Sequence, residues 1–364
     1  MPQYGVNMNF LHHAFKILHV EFYILLISLA ISAGCGDKKN AIETIECNIT
    51  SEPSGAKVIV DGAEMGITPY SGRVSVGKSH HLTVSKLGYR AGTAEFNIIS
   101  KGNFEYLRHF PLEKIDLSNM VLVPAGKFLM GSSDEEERQV IHQLGGGEVT
   151  EDIQWFMAEK PQREVYVPAF YIDKYEVTNA QYKKFIDATG HQPPRDWENG
   201  NYVEGGDNLP VVYVSWKDAN AYCQWAGKRL PTEEEWEKAA RGTDGRIWPW
   251  GNTFDKTRCN VESWEGSGPK PVGSYPEGVS PYGVYDMAGN VWEWVDSWYD
   301  AYPGSMYTTP EFGKKFRVTR GGSWYHYDSL GPIGARCASR DRGTEEHISY
   351  VVGFRCAIGK SDVR

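Results

Sequence analysis

Apolar positions along the chain change their spacing twice. Phe22 to Ala33 is a nearly unbroken apolar run, of signal-peptide length and too short to span a bilayer comfortably. From Cys47 to Leu112 the period is two, as in Lys57-Val58-Ile59-Val60 and His81-Leu82-Thr83-Val84. Turns at Asp61-Gly62, Met65-Gly66 and Leu87-Gly88-Tyr89 break it, which predicts a small all-β unit. Met120 to Gly131 reads as strand, turn and strand, and Arg163 to Asp173 as a further strand. Three helices are then predicted from their starts. Thr178-Asn179-Ala180-Gln181, Ser215-Trp216-Lys217-Asp218 and Thr232-Glu233-Glu234-Glu235 each place a hydroxyl at the N-cap and an acceptor three residues on. Gly190 and Gly227 end the first two, and Tyr182, Phe185, Tyr222, Trp225 and Trp236 are expected in the core. The acidic run Asp134-Glu135-Glu136-Glu137 reads as a solvated loop face. His80, His81 and His109 read as solvated strand residues, not a metal site.

Composition narrows the class. With 364 residues and 41% hydrophobic content, the chain holds two or three domains of roughly 100 to 200 residues each. Its 12 Trp, 21 Tyr and 39 Gly predict packed irregular loops and exclude a long helix bundle. A formal net charge of −9 argues against nucleic acid as a partner, since phosphate binding needs clustered Lys and Arg.

Ser32-Ala33-Gly34-Cys35 resembles a bacterial lipobox, although Ser32 stands where Leu is usual and Glu21 lies near the start of the apolar core. The resemblance implies a signal peptide over residues 1–34, lipid on Cys35 and a polar tether over 35–46. The expected product is an exported, membrane-anchored lipoprotein, periplasmic or on the outer membrane or cell surface; plain secretion is the alternative. Five cysteines then remain, an odd number, in a compartment that permits disulfides.

Within residues 47–114, Pro53-Ser54-Gly55-Ala56, Asp61-Gly62 and Gly66-Ile67-Thr68-Pro69 resemble, in family order, the turns of the PEGA domain. That resemblance implies a short β-sandwich serving as spacer or adhesion module.

Residues 116–360 resemble the formylglycine-generating enzyme (sulfatase-modifying factor) family. The motifs are Pro210 to Trp216, Trp225-Ala226-Gly227-Lys228-Arg229-Leu230-Pro231-Thr232-Glu233, Trp248-Pro249-Trp250-Gly251, Tyr285 to Trp294, Arg320-Gly321-Gly322-Ser323-Trp324 and Gly353-Phe354-Arg355-Cys356. They imply an α+β fold of the C-type-lectin-like kind with little regular secondary structure. Active members oxidise a sulfatase cysteine in Cys-x-Pro-x-Arg to formylglycine, holding copper(I) on a cysteine pair after the Gly-Gly-Ser motif. Here His326 matches the first cysteine, and the second falls near Gly331 or Pro332. Copper is therefore not expected, and a degenerate site near Ser323 and His326 is. The related iron branch, which uses three histidines, is not expected either, because no His-x-x-x-His pair occurs.

The resemblance further implies a disulfide between Cys223 and Cys356, leaving the pairing of Cys47, Cys259 and Cys337 open. It also implies a structural calcium site, with Asp286 and Glu293 giving carboxylates and Gly289 and Val291 giving carbonyls; a tight Gly289-Asn290 turn is the competing reading. A second calcium site is half matched by Asn260 and Val261. The expected function is a non-catalytic binding or scaffolding module of the cell envelope, with an envelope protein or a glycan near Trp324, Tyr325, His326 and Tyr327 as ligand. The alternative is a formylglycine-generating or other metal-dependent oxidase.

Overall fold

The computed structural model describes residues 44–97, 106–144, 156–261, 268–325 and 331–363. All of them belong to one compact unit, Thr44–Arg364. Cys35 and the leader lie outside the described residues, as does His326. Among the described residues no helix is long and apolar enough to cross a membrane.

The first seven strands build the β unit. β1 (Thr44–Glu52) lies between β4 (Tyr70–Ser75), antiparallel, and β7 (Tyr106–Pro111), parallel. β2 (Lys57–Val60), β3 (Ala63–Ile67), β5 (Ser79–Lys86) and β6 (Tyr89–Asn97) form an antiparallel sheet in the order β3-β2-β5-β6. The alternation is the one expected: along β1, Ile45, Cys47, Ile49 and Ser51 point inward, with Val58, Leu82 and Val84 from the other sheet. β1 starts three residues inside the expected tether. His80 corrects the expectation of solvated histidines. It is 2% exposed, its Nδ1 lies 2.8 Å from Asp61 Oδ2, and its Nε2 lies 2.8 Å from the Ser75 carbonyl, so it is a satisfied core residue.

The larger part begins with β8 (Met120–Val123), β9 (Gly126–Met130) and helix α1 (Asp134–Gln143). α1 overturns the reading of the acidic run as a solvated loop. Ser133 caps it by accepting the Glu136 N–H, and four acidic residues occupy the first turn, where the helix dipole favours them. β10 (Arg163–Val167) pairs with β9, and β11 (Phe170–Asp173) with β8. Helices α2 (Asn179–Thr189), α3 (Trp216–Trp225) and α4 (Glu233–Arg241) follow, and all three predicted capping boxes are complete. Of the five expected core aromatics, Tyr182, Phe185, Tyr222 and Trp236 are buried, while Trp225 is only half-buried. β12 (Trp292–Trp298), β13 (Arg317–Arg320), β14 (Arg340–Gly343) and β15 (Val352–Phe354) form a sheet in the order β14-β13-β12-β15, and β16 (Ala357–Gly359) joins β11. The Cys223–Cys356 disulfide closes 133 residues between α3 and this last segment, worth about 3–5 kcal/mol in the chain-entropy description. Cys259 and Cys337 are not joined; they sit in separate core clusters.

The centre of this part is polar. Glu233, Glu237 and Arg241 share one face of α4 at a spacing of four, the helical repeat. They enter an alternating chain of buried charges. Arg340 binds Glu233 at 2.7 Å, Arg320 bridges Glu233 and Glu237, Arg241 bridges Glu237 at 3.2 Å and Glu136 at 2.9 Å, and Arg336 reaches Glu159 at 2.7 Å. None of these eight residues is more than 6% exposed. Four carboxylates and four guanidinium groups cancel in a setting where any one of them alone is costly. Glu237→Gln is expected to destabilise by about 3–5 kcal/mol, measured by urea unfolding. A loss below about 1 kcal/mol, the value of an exposed pair, would contradict the account.

Candidate functional site

The Gly-Gly-Ser motif hangs on a turn. Gly289 N–H donates to the Gly321 carbonyl at 2.7 Å, and Trp324 N–H donates to the Asn290 carbonyl at 2.9 Å. Asn290 holds φ +62°, a conformation its short polar side chain tolerates. That side chain is saturated: Oδ1 accepts from Asn260 and from Lys270 N–H, and Nδ2 donates to Glu176 at 3.0 Å and to the Lys270 carbonyl. Gly322 must be glycine, since its φ is +74° and a Cβ would lie 2.8 Å from the Gly334 carbonyl carbon. Ser323 is buried, and its hydroxyl is spent on its own turn, donating to the Tyr325 carbonyl at 3.1 Å.

Beside this turn stands an aromatic wall. Tyr350 packs against Tyr325 at 5.5 Å, Trp324 at 5.8 Å and Tyr213 at 6.4 Å between ring centroids. The Arg195 guanidinium lies over Tyr213 at 4.6 Å, within cation–π reach. Tyr350 is exposed and Trp324, Tyr325 and Tyr213 are half-buried. The Trp324 indole N–H is buried with no hydrogen-bond partner among the described residues. Tyr213 and Tyr350 were not singled out in the sequence, because their approach to Trp324 depends on chain segments far apart. His326 and Tyr327, expected at the same place, lie outside the described residues.

The four expected calcium ligands share one neighbourhood, with Glu293 otherwise engaged. Its two oxygens accept from Arg355 at 2.6 and 2.7 Å, and Oε2 also accepts the Trp236 indole N–H at 2.9 Å. Asp286 Oδ2 accepts the Gly273 N–H at 2.6 Å. A guanidinium thus supplies positive charge against Glu293. The residues do not fit copper(I). The chain from Ser323 to Arg336 contains no cysteine, and the adjacent Cys337 is fully buried, its thiol pushed up to about 12 by burial, so it is neither thiolate nor accessible. Among the described residues no group of three His, Cys, Asp or Glu side chains is placed to hold a metal.

Glu176 stands out in this neighbourhood. It is 1% exposed, and its Oε2 has no hydrogen-bond partner among the described residues. Burial, and then the charge of Asp286, pushes its carboxyl well above the usual carboxylate range; burial raises Asp286 as well.

Comparison with known proteins places these features. The sulfatase-modifying factor enzyme 1-like domain matches residues 108–360, and the PEGA domain residues 44–108. The mouse formylglycine-generating enzyme is 34% identical over 300 residues, covering 66% of this chain and 75% of that protein. The formylglycine-generating enzyme of Thermomonospora curvata is 33% identical over 320 residues, covering 70% and 97%. The bovine inactive C-alpha-formylglycine-generating enzyme 2 is 33% identical over 296 residues, covering 66% and 88%. Among solved structures, PvdO from Pseudomonas aeruginosa aligns with a TM-score of 0.48 and 26% identity, covering 66% of this chain and 94% of that one.

The raised Glu176 carboxyl has a consequence for stability. The folded state holds this proton more tightly than the unfolded chain, whose carboxyl titrates near 4.5. The stabilisation is therefore complete below that pH and is lost as pH rises through the folded value. Stability is expected to fall as pH rises above about 4.5, and Glu176→Gln, which mimics the protonated form, is expected to flatten that slope in urea unfolding. An unchanged slope in the variant would remove Glu176 from this role.

Proposed function

The chain belongs to the sulfatase-modifying factor family, and from that premise we propose that it is an exported lipoprotein of the cell envelope whose enzyme-like domain binds a partner instead of oxidising one. The observation that carries this reading is the lack of any cysteine from Ser323 to Arg336. Two-coordinate copper(I) needs soft thiolates, and Cys337 is locked in the core. The folding apparatus around the motif is meanwhile intact, from the saturated Asn290 turn to the Arg355–Glu293 pair. A relative named as inactive aligns with the chain as extensively as relatives named as enzymes do. The partially exposed aromatic wall of Trp324, Tyr325, Tyr350 and Tyr213, with Arg195 alongside, is the face offered to an envelope protein. Aromatic and arginine side chains of this kind anchor protein interfaces.

Two experiments test this. Purified protein incubated with copper, oxygen and a Cys-x-Pro-x-Arg peptide is expected to yield no formylglycine by mass spectrometry beyond a protein-free control, in which the thiol can form only disulfide; aldehyde formation that continues over many turnovers would establish the oxidase alternative. For the anchor, the chain produced in a bacterial host is expected to take up radiolabelled palmitate, and Cys35→Ser to abolish the labelling. Wild-type chain that remains unlabelled, or label that survives the substitution, would show that the protein is not anchored through Cys35.

A further inference from the structure

A cleft of about 610 Å³ lies between the four-stranded sheet of the β unit and helices α2 and α3. The elements that form its walls are fixed against each other at two places. Within the lining the His81 ring rests on Gly190, where a Cβ would come within 2.7 Å of it; Gly190 has φ +69° and ends α2. Outside the lining, Gly88 N–H donates to the Gly227 carbonyl at 2.8 Å, and a Cβ on Gly227 would lie 2.1 Å from the Tyr89 carbonyl oxygen. The opening is therefore formed before any ligand arrives, which lowers the entropic cost of filling it.

The chemistry of the lining is selective. Its full charges are already met by the protein: Asp61 by Lys78 at 2.7 Å and by His80, Asp218 by His191 at 2.8 Å, and Lys217 by Glu346 at 2.6 Å. Thr83, Gln192, Asn220 and Gln224 also line the cleft, and their side chains have no hydrogen-bond partner among the described residues. With them stands Trp225, the one expected core aromatic that is only half-buried, backed by Phe185 at 5.6 Å. Apart from the His81 imidazole, which rests on Gly190, a charged ligand finds no free counter-charge here, and a purely apolar one would leave these amides and the hydroxyl unpaired. Uncommitted amides and a hydroxyl around an indole suit a molecule with many hydroxyl groups and C–H faces, whose partly positive hydrogens meet the negative face of the ring. The volume is that of a small-ligand pocket.

We propose that this cleft binds a short neutral oligosaccharide. The proposal is independent of whether the family site is catalytic, since neither the aromatic wall nor the Gly-Gly-Ser turn contributes to the cleft.

Titration calorimetry on the full chain in detergent, with maltotriose, cellotriose, xylotriose and N,N′,N″-triacetylchitotriose, tests it. At least one trisaccharide is expected to bind. Asn220→Ala and Gln224→Ala, at half-buried positions on α3, are each expected to weaken that binding about tenfold without changing the melting temperature appreciably. Tyr350→Ala, on the aromatic wall, is expected to leave it unchanged. The proposal would be overturned by no heat from any of the four sugars up to about 10 mM, or by binding that survives both α3 substitutions. Loss of binding in Tyr350→Ala alone would overturn it as well, by moving the sugar to the wall.

Discussion

Everything in the larger part of the molecule is arranged around the cancellation of eight buried charges. A guanidinium or carboxylate taken out of water costs several kcal/mol, recovered only if its partners are in place. Glu233, Glu237 and Arg241 come from one helix, but Glu136, Glu159, Arg320, Arg336 and Arg340 come from five other places in the chain. Helix α4 cannot be buried without the segments that bring Arg320, Arg340 and Glu136 unless a charge is stranded. The irregular loops and short strands that fill this part are thereby held to one arrangement, which apolar packing alone specifies less sharply. Arg355 and Glu293 repeat the device at the neighbouring turn, and there the guanidinium also donates to the carbonyls of Asp173, Lys174 and Tyr285.

The frame around the Gly-Gly-Ser turn also rests on polar contacts. The Gly-Gly-Ser turn is supported from beneath by Gly289 and Asn290, whose bonds involve Glu176, Asn260 and Lys270. None of these contacts needs a cysteine or a metal. The base of the turn is thus built independently of the side chains the loop carries, the usual relation between a scaffold and the segment it presents.

What could be read in the sequence was what is decided locally. Thr178, Ser215 and Thr232 announce helix starts because a cap and its partner lie three residues apart. The β unit announces itself because burial in a strand alternates residue by residue. Ser133 belongs to the same class of signal, yet the charge of Asp134 to Glu137 drew the reading toward solvent and hid the helix. The remaining misses are long-range. Glu136 meets Arg241 across 105 residues, and Arg336 meets Glu159 across 177; His80 finds its place only once Asp61 and Ser75 have converged on it. At the candidate site, Ser323 was legible through its motif, whereas Tyr213 and Tyr350 join Trp324 only through the tertiary fold. The pairing of Arg355 with Glu293 is likewise announced by no spacing.

One arrangement bears on how the molecule is made. Val352 to Gly359 supplies β15 alongside β12, β16 alongside β11, the guanidinium that neutralises Glu293, and one half of the disulfide to α3. A ribosome reaches this stretch after nearly all of its neighbours, so the emerging polypeptide keeps an unclosed seam, with bare strand edges and an unmatched carboxylate, until these eight residues arrive. Premature termination or cleavage just upstream would yield a species with no half-finished resting state, one that quality-control proteases distinguish readily from the intact product.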